Sequence, residues 1–140
     1  MDVEFTSHKD EVLKEFEEAK QRTLNAIGLQ MERNAKIEIN KAVYDTPPSP
    51  NYIRTGRLRA SITYATKTAH GNPGKEAQSG DSDPHGTPED DVVCVGTNVE
   101  YASSVEFGTS RMPPRPYLSL ALNGHMNEYK KIAETEMKSS

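Results

Sequence analysis

The feature that most constrains the fold is an amphipathic stripe in the first third of the chain. Its apolar residues recur at helical spacing within an arc of about 100°: Leu13, Phe16, Leu24, Ile27, Met31, Ala35 and Ala42. Ser7 can cap the helix, and prolines shortly after Tyr44 end it. A continuous helix between these residues would be roughly 55 Å long, whereas a compact domain of 140 residues is only about 35–40 Å across. We therefore expect it to bend at Gly28 or to overhang and pack on another subunit; the alternative is two shorter helices.

Two short segments predict a small antiparallel sheet. From Leu58 to Ala65, apolar residues alternate with polar ones, which is typical of a half-buried strand. The run from Val92 to Val95 is rich in β-branched residues and is the expected pairing strand. Val3–Phe5 is a further candidate for an edge strand. Between the two strands, residues 67–91 are rich in Gly, Pro, Asn, Ser and Asp, which indicates a long flexible loop.

The segment from Tyr101 to Leu122 combines several helix and turn signals. Asn98 can cap a short helix, and Gly108 lies where such a helix would end in a left-handed residue. The prolines that follow hold the backbone extended, and Pro116 can occupy the first turn of a final helix that runs to about Met137. The segment is therefore expected to form a rigid elbow between two helices.

Together these elements predict one α+β domain over residues 1–140. We expect a long N-terminal helix, a small antiparallel sheet with a long inserted loop, a short helix, and a C-terminal helix packed on the sheet. Residues 138–140 are expected to form a disordered tail. Hydrophobic residues make up only 34% of the chain, so we expect either that a partner completes part of its apolar surface or that part of the chain is unpacked.

Charge and cysteine content exclude several classes of protein. The net charge is −4, and Arg54, Arg57 and Arg59 form a small basic band between acidic blocks. This pattern does not provide the broad positive face that nucleic acid demands, but it suits identical subunits that meet head to tail. The lone Cys94 indicates synthesis in a reducing cytoplasm. No apolar run approaches the roughly 18 residues of a membrane span, so no membrane partner is expected.

Residues of catalytic type do not form a recognisable constellation. Ser103 and Ser104 lie near Glu106, but no Gly-x-Ser-x-Gly turn is present and no histidine is placed to activate a hydroxyl. The histidines and aspartates of residues 70–85 fit no compact metal-ligand spacing. His125 is expected to be a satisfied histidine at the edge of the core. We therefore expect no enzyme activity, no metal and no cofactor.

Two motifs give the chain a resemblance to a known family. One is Tyr-Ala-Ser-Ser-Val-Glu-Phe-Gly-Thr at 101–109, followed by a basic, proline-rich step and Arg-Pro-Tyr-Leu at 115–118. The other is Arg-Thr-Gly-Arg-Leu-Arg-Ala-Ser-Ile at 54–62, just after the long helix. In this order they resemble the head–tail joining proteins (tail completion, neck or minor tail proteins) of long-tailed, siphovirus-type bacteriophages. The resemblance does not extend to residues 67–91.

The resemblance implies a structural protein of the virion, made in the cytoplasm of the host bacterium. It implies a ring of identical copies, a hexamer in this family, that joins the tail to the head connector. The implied neighbours are the head connector or head completion protein and the tail terminator or tail-tube protein, and DNA would pass through the lumen without specific binding. The alternatives are a tail terminator that caps the tail tube and a nucleic-acid-binding accessory protein.

The candidate contact residues are Arg57, Arg59, Tyr101, Glu106, Phe107, Arg111, Arg115 and Tyr117. On the predicted strand, Arg57 and Arg59 share a face, and either could pair with Glu106 within a subunit or across an interface. The alternative is that both arginines are solvated. The three aromatic residues could instead serve the core. The inserted loop is either disordered or ordered by a neighbouring ring, where its acidic residues would repel passing DNA.

Overall fold

The computed structural model describes residues 2–41, 56–78, 80–81, 87–110, 114 and 116–138, with side chains from residue 10 onward. The N-terminal helix, α1, spans Asp2–Ile39 and continues through Gly28 without interruption. Of the expected alternatives, the continuous helix is therefore the one observed. Val3–Phe5 lies in this helix, so the predicted edge strand and the cap at Ser7 are wrong. No glycine or proline precedes Ser7 to interrupt the helix, and the predicted end at Tyr44 lies outside the described residues.

The sheet consists of two short antiparallel strands. Strand β1 spans Thr63–Ala65 and strand β2 spans Cys94–Gly96. Thr63 lies opposite Gly96, and Ala65 lies opposite Cys94. The predicted antiparallel pairing is confirmed, although β2 begins two residues later than Val92.

The residues predicted to begin the first strand form a helix instead. Helix α2 spans Arg57–Ser61 and follows Gly56, whose φ of 82° favours glycine. Leu58 and Ile62 are both buried and lie one helical turn apart. Because a spacing of four is even, apolar residues at these positions fit strand alternation as well as they fit a helix. The alternation in this short segment was therefore compatible with both structures.

Three further helices complete the described chain: α3 spans Ala102–Phe107, α4 spans Tyr117–Asn123 and α5 spans Met126–Lys138. The predicted single C-terminal helix is thus divided into two. The division falls at Gly124, where an added Cβ would lie 2.7 Å from the carbonyl oxygen of Leu120. Only a residue without a Cβ permits so close an approach.

The sequence predicted the C-terminal end of the short helix α3 correctly, but not its N-terminal end. Tyr101, and not Asn98, occupies the N-cap position, and no side chain caps the helix there. Gly108 ends the helix with a φ of 78°, and its N–H donates to the carbonyl oxygen of Ser104 (2.9 Å). Since this φ favours glycine, the predicted role of Gly108 is confirmed. Pro116 immediately precedes α4 rather than lying within its first turn.

Helix α1 is the middle layer of the fold. It contacts both strands on one side and packs against α4 and α5 on the other. Glu32 accepts a hydrogen bond from the backbone N–H of Tyr64 in β1 (3.1 Å), while Asn34 donates to the hydroxyl of Tyr129 in α5 (3.1 Å). Residues two apart on a helix point about 200° from each other, so these contacts lie on nearly opposite sides. The C-terminal helices therefore pack mainly on α1, which corrects their predicted packing on the sheet.

The core lies where α1, α2, α3 and α4 meet. Its buried cluster consists of Ala35, Ile39, Leu58, Ile62, Val99, Ala102, Val105, Tyr117 and Ala121. At its edge, the hydroxyl of Tyr129 also donates to the carbonyl oxygen of Ala121, which links α5 to α4 as well as to α1. A long helix, a two-stranded sheet and short helices around one core confirm the predicted α+β class.

The described parts of the inserted segment, residues 67–91, are attached to the rest of the domain. The N–H of Gly74 donates to the carbonyl oxygen of Ala60 in α2 (2.9 Å). Near the other end of the segment, Nζ of Lys20 lies 2.7 Å from a carboxylate oxygen of Asp91. These contacts hold the segment against α2 at one point and against α1 at another.

Gly28 allows the ring of Tyr64 to lie directly against α1, because an added Cβ would be 2.5 Å from its Cδ2 atom. We predict that Gly28→Ala lowers the free energy of unfolding by about 1 kcal/mol, since overpacking outweighs a gain of about 1 kcal/mol in helix propensity. In a Tyr64→Ala background the same substitution should stabilise the protein. Urea denaturation of the four proteins measures both effects. Stabilisation by Gly28→Ala with Tyr64 present would contradict the prediction.

His125 joins the turn between α4 and α5 to α1. Its Nε2 atom lies 3.0 Å from a carboxylate oxygen of Glu38, and its Nδ1 atom contacts the carboxylate of Glu128. The pKa of His125 is raised above its ordinary value of 6.5, mainly by its hydrogen bond to Glu38 and to a smaller extent by that to Glu128. The expectation of a satisfied histidine at the core edge is confirmed.

The raised pKa of His125 predicts a specific pH dependence of stability. The contribution of protonated His125 to the free energy of unfolding is fully present below its ordinary pKa of 6.5. It is lost as the pH rises through the higher pKa of the folded state. We therefore expect the urea midpoint to fall as the pH is raised from about 6 to about 9, and the fall to be smaller in His125→Gln. The exposed His70 supplies the control, because His70→Gln should retain the full decline. Equal declines in both variants would argue against the role of His125.

Candidate assembly interface

Arg57, at the start of α2, is the centre of an ion-pair cluster. Its Nε and Nη2 atoms donate to the two carboxylate oxygens of Asp81 at 2.9 and 2.8 Å. Its Nη1 and Nη2 atoms each donate to Glu100 at 3.1 Å. The guanidinium carbon also lies 5.8 Å from the centre of the Tyr101 ring, within the range of a cation–π contact. One side chain thus ties α2 to the inserted segment and to the turn before α3.

Asp81 is the buried member of this cluster. Its side chain is 4% exposed, whereas that of Glu100 is 72% exposed. The guanidinium of Arg57 lowers the pKa of Asp81 and outweighs the opposing effect of burial. The backbone of Asp81 accepts a hydrogen bond from the N–H of Asn98 (2.6 Å), which joins the inserted segment to the residues after β2. The sequence did not predict the contacts of Asp81 with Arg57 and Asn98, because Asp81 lies in a segment that lacks periodicity.

Glu106 has a different partner from the one predicted. Its buried carboxylate accepts hydrogen bonds from the N–H groups of Leu118 (3.1 Å) and Ser119 (2.9 Å), and from the hydroxyl of Ser119 (2.8 Å). A negative charge is favourable at the first turn of a helix, where backbone N–H groups lack helical partners. Glu106 therefore connects the end of α3 to the start of α4 across the elbow.

The predicted pairing of Glu106 with Arg57 or Arg59 of the same subunit is wrong. Arg57 pairs with Asp81 and Glu100, and Nη1 of Arg59 donates to the side-chain oxygen of Asn40 (2.8 Å). In a helix, residues two apart point in nearly opposite directions, so the two arginines do not share a face. The pairing depended on the strand that proved to be α2.

The three candidate aromatic residues have three different environments. Tyr117 is fully buried in the core, and burial raises the pKa of its hydroxyl. Tyr101 is half-buried and packs against the core. Phe107, at the end of α3, is 77% exposed. Of the three, only Phe107 presents its ring to solvent, and the remaining candidates Arg111 and Arg115 lie outside the described residues.

A second exposed apolar surface lies on the N-terminal half of α1. Val12 is 62% exposed, and Leu13 and Phe16 are each 52% exposed. Residues 10–18 are all exposed, so no other part of the described chain covers this stretch of the helix. The sequence placed Leu13 and Phe16 on the apolar stripe, and the excess length of the helix was the available signal that they overhang.

The arrangement of these residues is suited to recognition by contact. Within the described ranges, no group of three or more His, Cys, Asp or Glu side chains is placed to hold a metal ion. None of the helices in those ranges is both long and apolar enough to cross a bilayer. The described surface instead presents exposed apolar side chains, on a domain whose irregular segments are held by the contacts of Arg57 and Glu106.

Comparisons with known proteins point in the same direction. A family model described as "Bacteriophage HK97-gp10, putative tail-component" matches residues 4–108, which is most of the chain. The match includes α1, the sheet, the inserted segment and α3, and it ends at Gly108. No curated protein sequence and no solved structure matches the chain.

The Arg57–Asp81 pair should contribute strongly to the thermal stability of the fold. We predict that Arg57→Ala lowers Tm by about 10 °C, because it leaves the buried carboxylate of Asp81 unpaired. The control is Lys67→Ala, which removes an exposed ion pair with Asp90 and should change Tm little. Scanning calorimetry of the two variants measures the difference. Equal shifts would mean that burial of Asp81 adds nothing to the strength of its pair.

Proposed function

The chain belongs to the HK97-gp10-like family of phage tail components, and we propose that it is a neck protein that joins the tail to the head. Membership of this family makes it a structural protein of the phage tail and places it in the virion. The finer proposal is that copies of the chain form a ring between the head connector and the tail. Six copies are proposed, as the resemblance to head–tail joining proteins implies.

The observation that carries this proposal is the overhang of α1. With 38 residues, the helix is roughly 57 Å long, which exceeds the about 35–40 Å expected for a compact domain of this size. Val12, Leu13 and Phe16 on the overhanging half remain exposed. Exposed apolar clusters mark interaction sites, and repeated contacts between identical copies close into rings. A tail protein with such a helix is suited to ring assembly.

We propose that the elbow between α3 and α4 makes the contact with the next layer of the particle. Phe107, with Arg111 and Arg115, would form the contact itself. Tyr117 in the core, and Glu106, whose carboxylate binds the start of α4, would keep the elbow rigid, so that little conformational entropy is lost on docking. The other candidates would stabilise the fold of the subunit rather than contact a partner: Arg57, Arg59 and Tyr101.

The experiment that tests this function is deletion of the gene from the phage. We expect filled heads and free tails of normal length in electron micrographs, because the joint between them would be missing. A plasmid-borne copy should restore joined, infectious particles. Tails of abnormal length would instead indicate a tail terminator, since an uncapped tube continues to polymerise. Joined particles without the protein would refute the proposal.

A further inference from the structure

We propose that the N-terminal half of α1 packs on the C-terminal half of α1 in a second copy of this chain. The inference rests on the proposed ring and names the two surfaces that would form it. The first, called the acidic face, consists of Val12, Leu13 and Phe16 with the charged residues of positions 10–18. The second, called the basic face, consists of Leu29, Arg33, Lys36 and Ile37. Both lie entirely on described residues of one helix.

The acidic face combines exposed apolar side chains with a strong negative charge. Val12 and Phe16 are four residues apart and lie on the same side of the helix, with Leu13 beside them. Residues 10–18 contain five acids and a single base: Asp10, Glu11, Glu15, Glu17, Glu18 and Lys14. A partner must therefore cover an apolar strip and supply positive charge at its edges.

The basic face has the complementary properties. Leu29 and Ile37 are exposed by 36% and 44%, and the exposed Arg33 lies between them at spacings of four residues. Lys36 is adjacent and half-buried. The nearby acid Glu32 is buried, accepts a hydrogen bond from the backbone of β1 and lies 3.7 Å from Nζ of Lys36. It therefore offsets part of the charge of Lys36, and the exposed Arg33 is the main cation of this surface.

The two faces cannot meet within one molecule. Their centres are about 19 residues apart on a continuous helix, which is roughly 28 Å. Only another copy can bring a basic face to an acidic face. Each copy then has one of each, which is the arrangement that a head-to-tail ring requires. DNA is not a suitable occupant of the acidic face, because both carry negative charge.

The charges of the two faces allow a test by reversal and complementation. One variant, Asp10→Lys/Glu15→Lys/Glu17→Lys, reverses acids that flank the apolar strip and changes the net charge of residues 10–18 from −4 to +2; the other, Arg33→Glu/Lys36→Glu, makes the basic face negative. Each variant alone brings like charges together, so we expect each to lower the yield of infectious particles from the deletion phage at least about tenfold. Co-expression of both variants, or their combination in one chain, restores opposite charges and should recover the yield to within about threefold of wild type.

The controls separate assembly from folding. Thermal melts of each purified variant establish that it folds, and Arg33→Glu alone replaces the second variant if Lys36→Glu disturbs Glu32, which lies 3.7 Å from Lys36. Wild-type yield from both single-face variants would overturn the inference. So would failure of both the co-expressed and the combined variants to recover yield although they fold.

A photo-crosslinking amino acid in place of Phe16 provides an independent readout in assembled particles. We expect it to link to residues 29–37 of another copy, whereas the same group at Leu122, which is 42% exposed on α4, should not. Links only to a different virion protein, or none between copies, would refute the contact. If the deletion phage still makes joined particles, the neck function fails, but this cross-link still decides whether the two faces meet.

Discussion

The burial of α1 on two nearly opposite sides is the constraint on which the rest of the structure depends. A helix that is covered on one side shows a broad apolar stripe, but α1 must fit a sheet on one side and two helices on the other. Small and polar residues meet this requirement. Gly28 admits an aromatic ring, Ala35 is fully buried, and Asn34 hydrogen-bonds to α5. One helix thereby serves two packing layers, so a chain with few hydrophobic residues can still form a core.

Charged side chains hold the irregular segments where apolar contacts are few. The inserted segment is held by two ion pairs, Asp81 with Arg57 and Asp91 with Lys20. Glu106 joins the end of α3 to α4 by hydrogen bonds. Charge-assisted hydrogen bonds are shorter and stronger than neutral ones, and they require only one suitable residue in each segment. The described turns can therefore be well defined although they contribute little to the hydrophobic core.

The sequence predicted the features that depend on long patterns or on single special residues. The periodicity of α1 extends over many turns, and Gly108 has a local backbone role, so both could be recognised. The start of α2 could not, because its apolar spacing of four fits a strand equally well. The partners of Arg57 and Glu106 were missed for a different reason. Arg57 and Asp81 are 24 residues apart, and only the folded chain brings them together.

The carboxylates on the overhanging half of α1 affect the free subunit as well as its contacts. An exposed strip of Val12, Leu13 and Phe16 would favour indiscriminate association of newly made chains. The negative charge of residues 10–18 opposes this, because two such strips repel each other. In the proposed assembly, the same charges would therefore keep free subunits dispersed until a surface of opposite sign is presented to them.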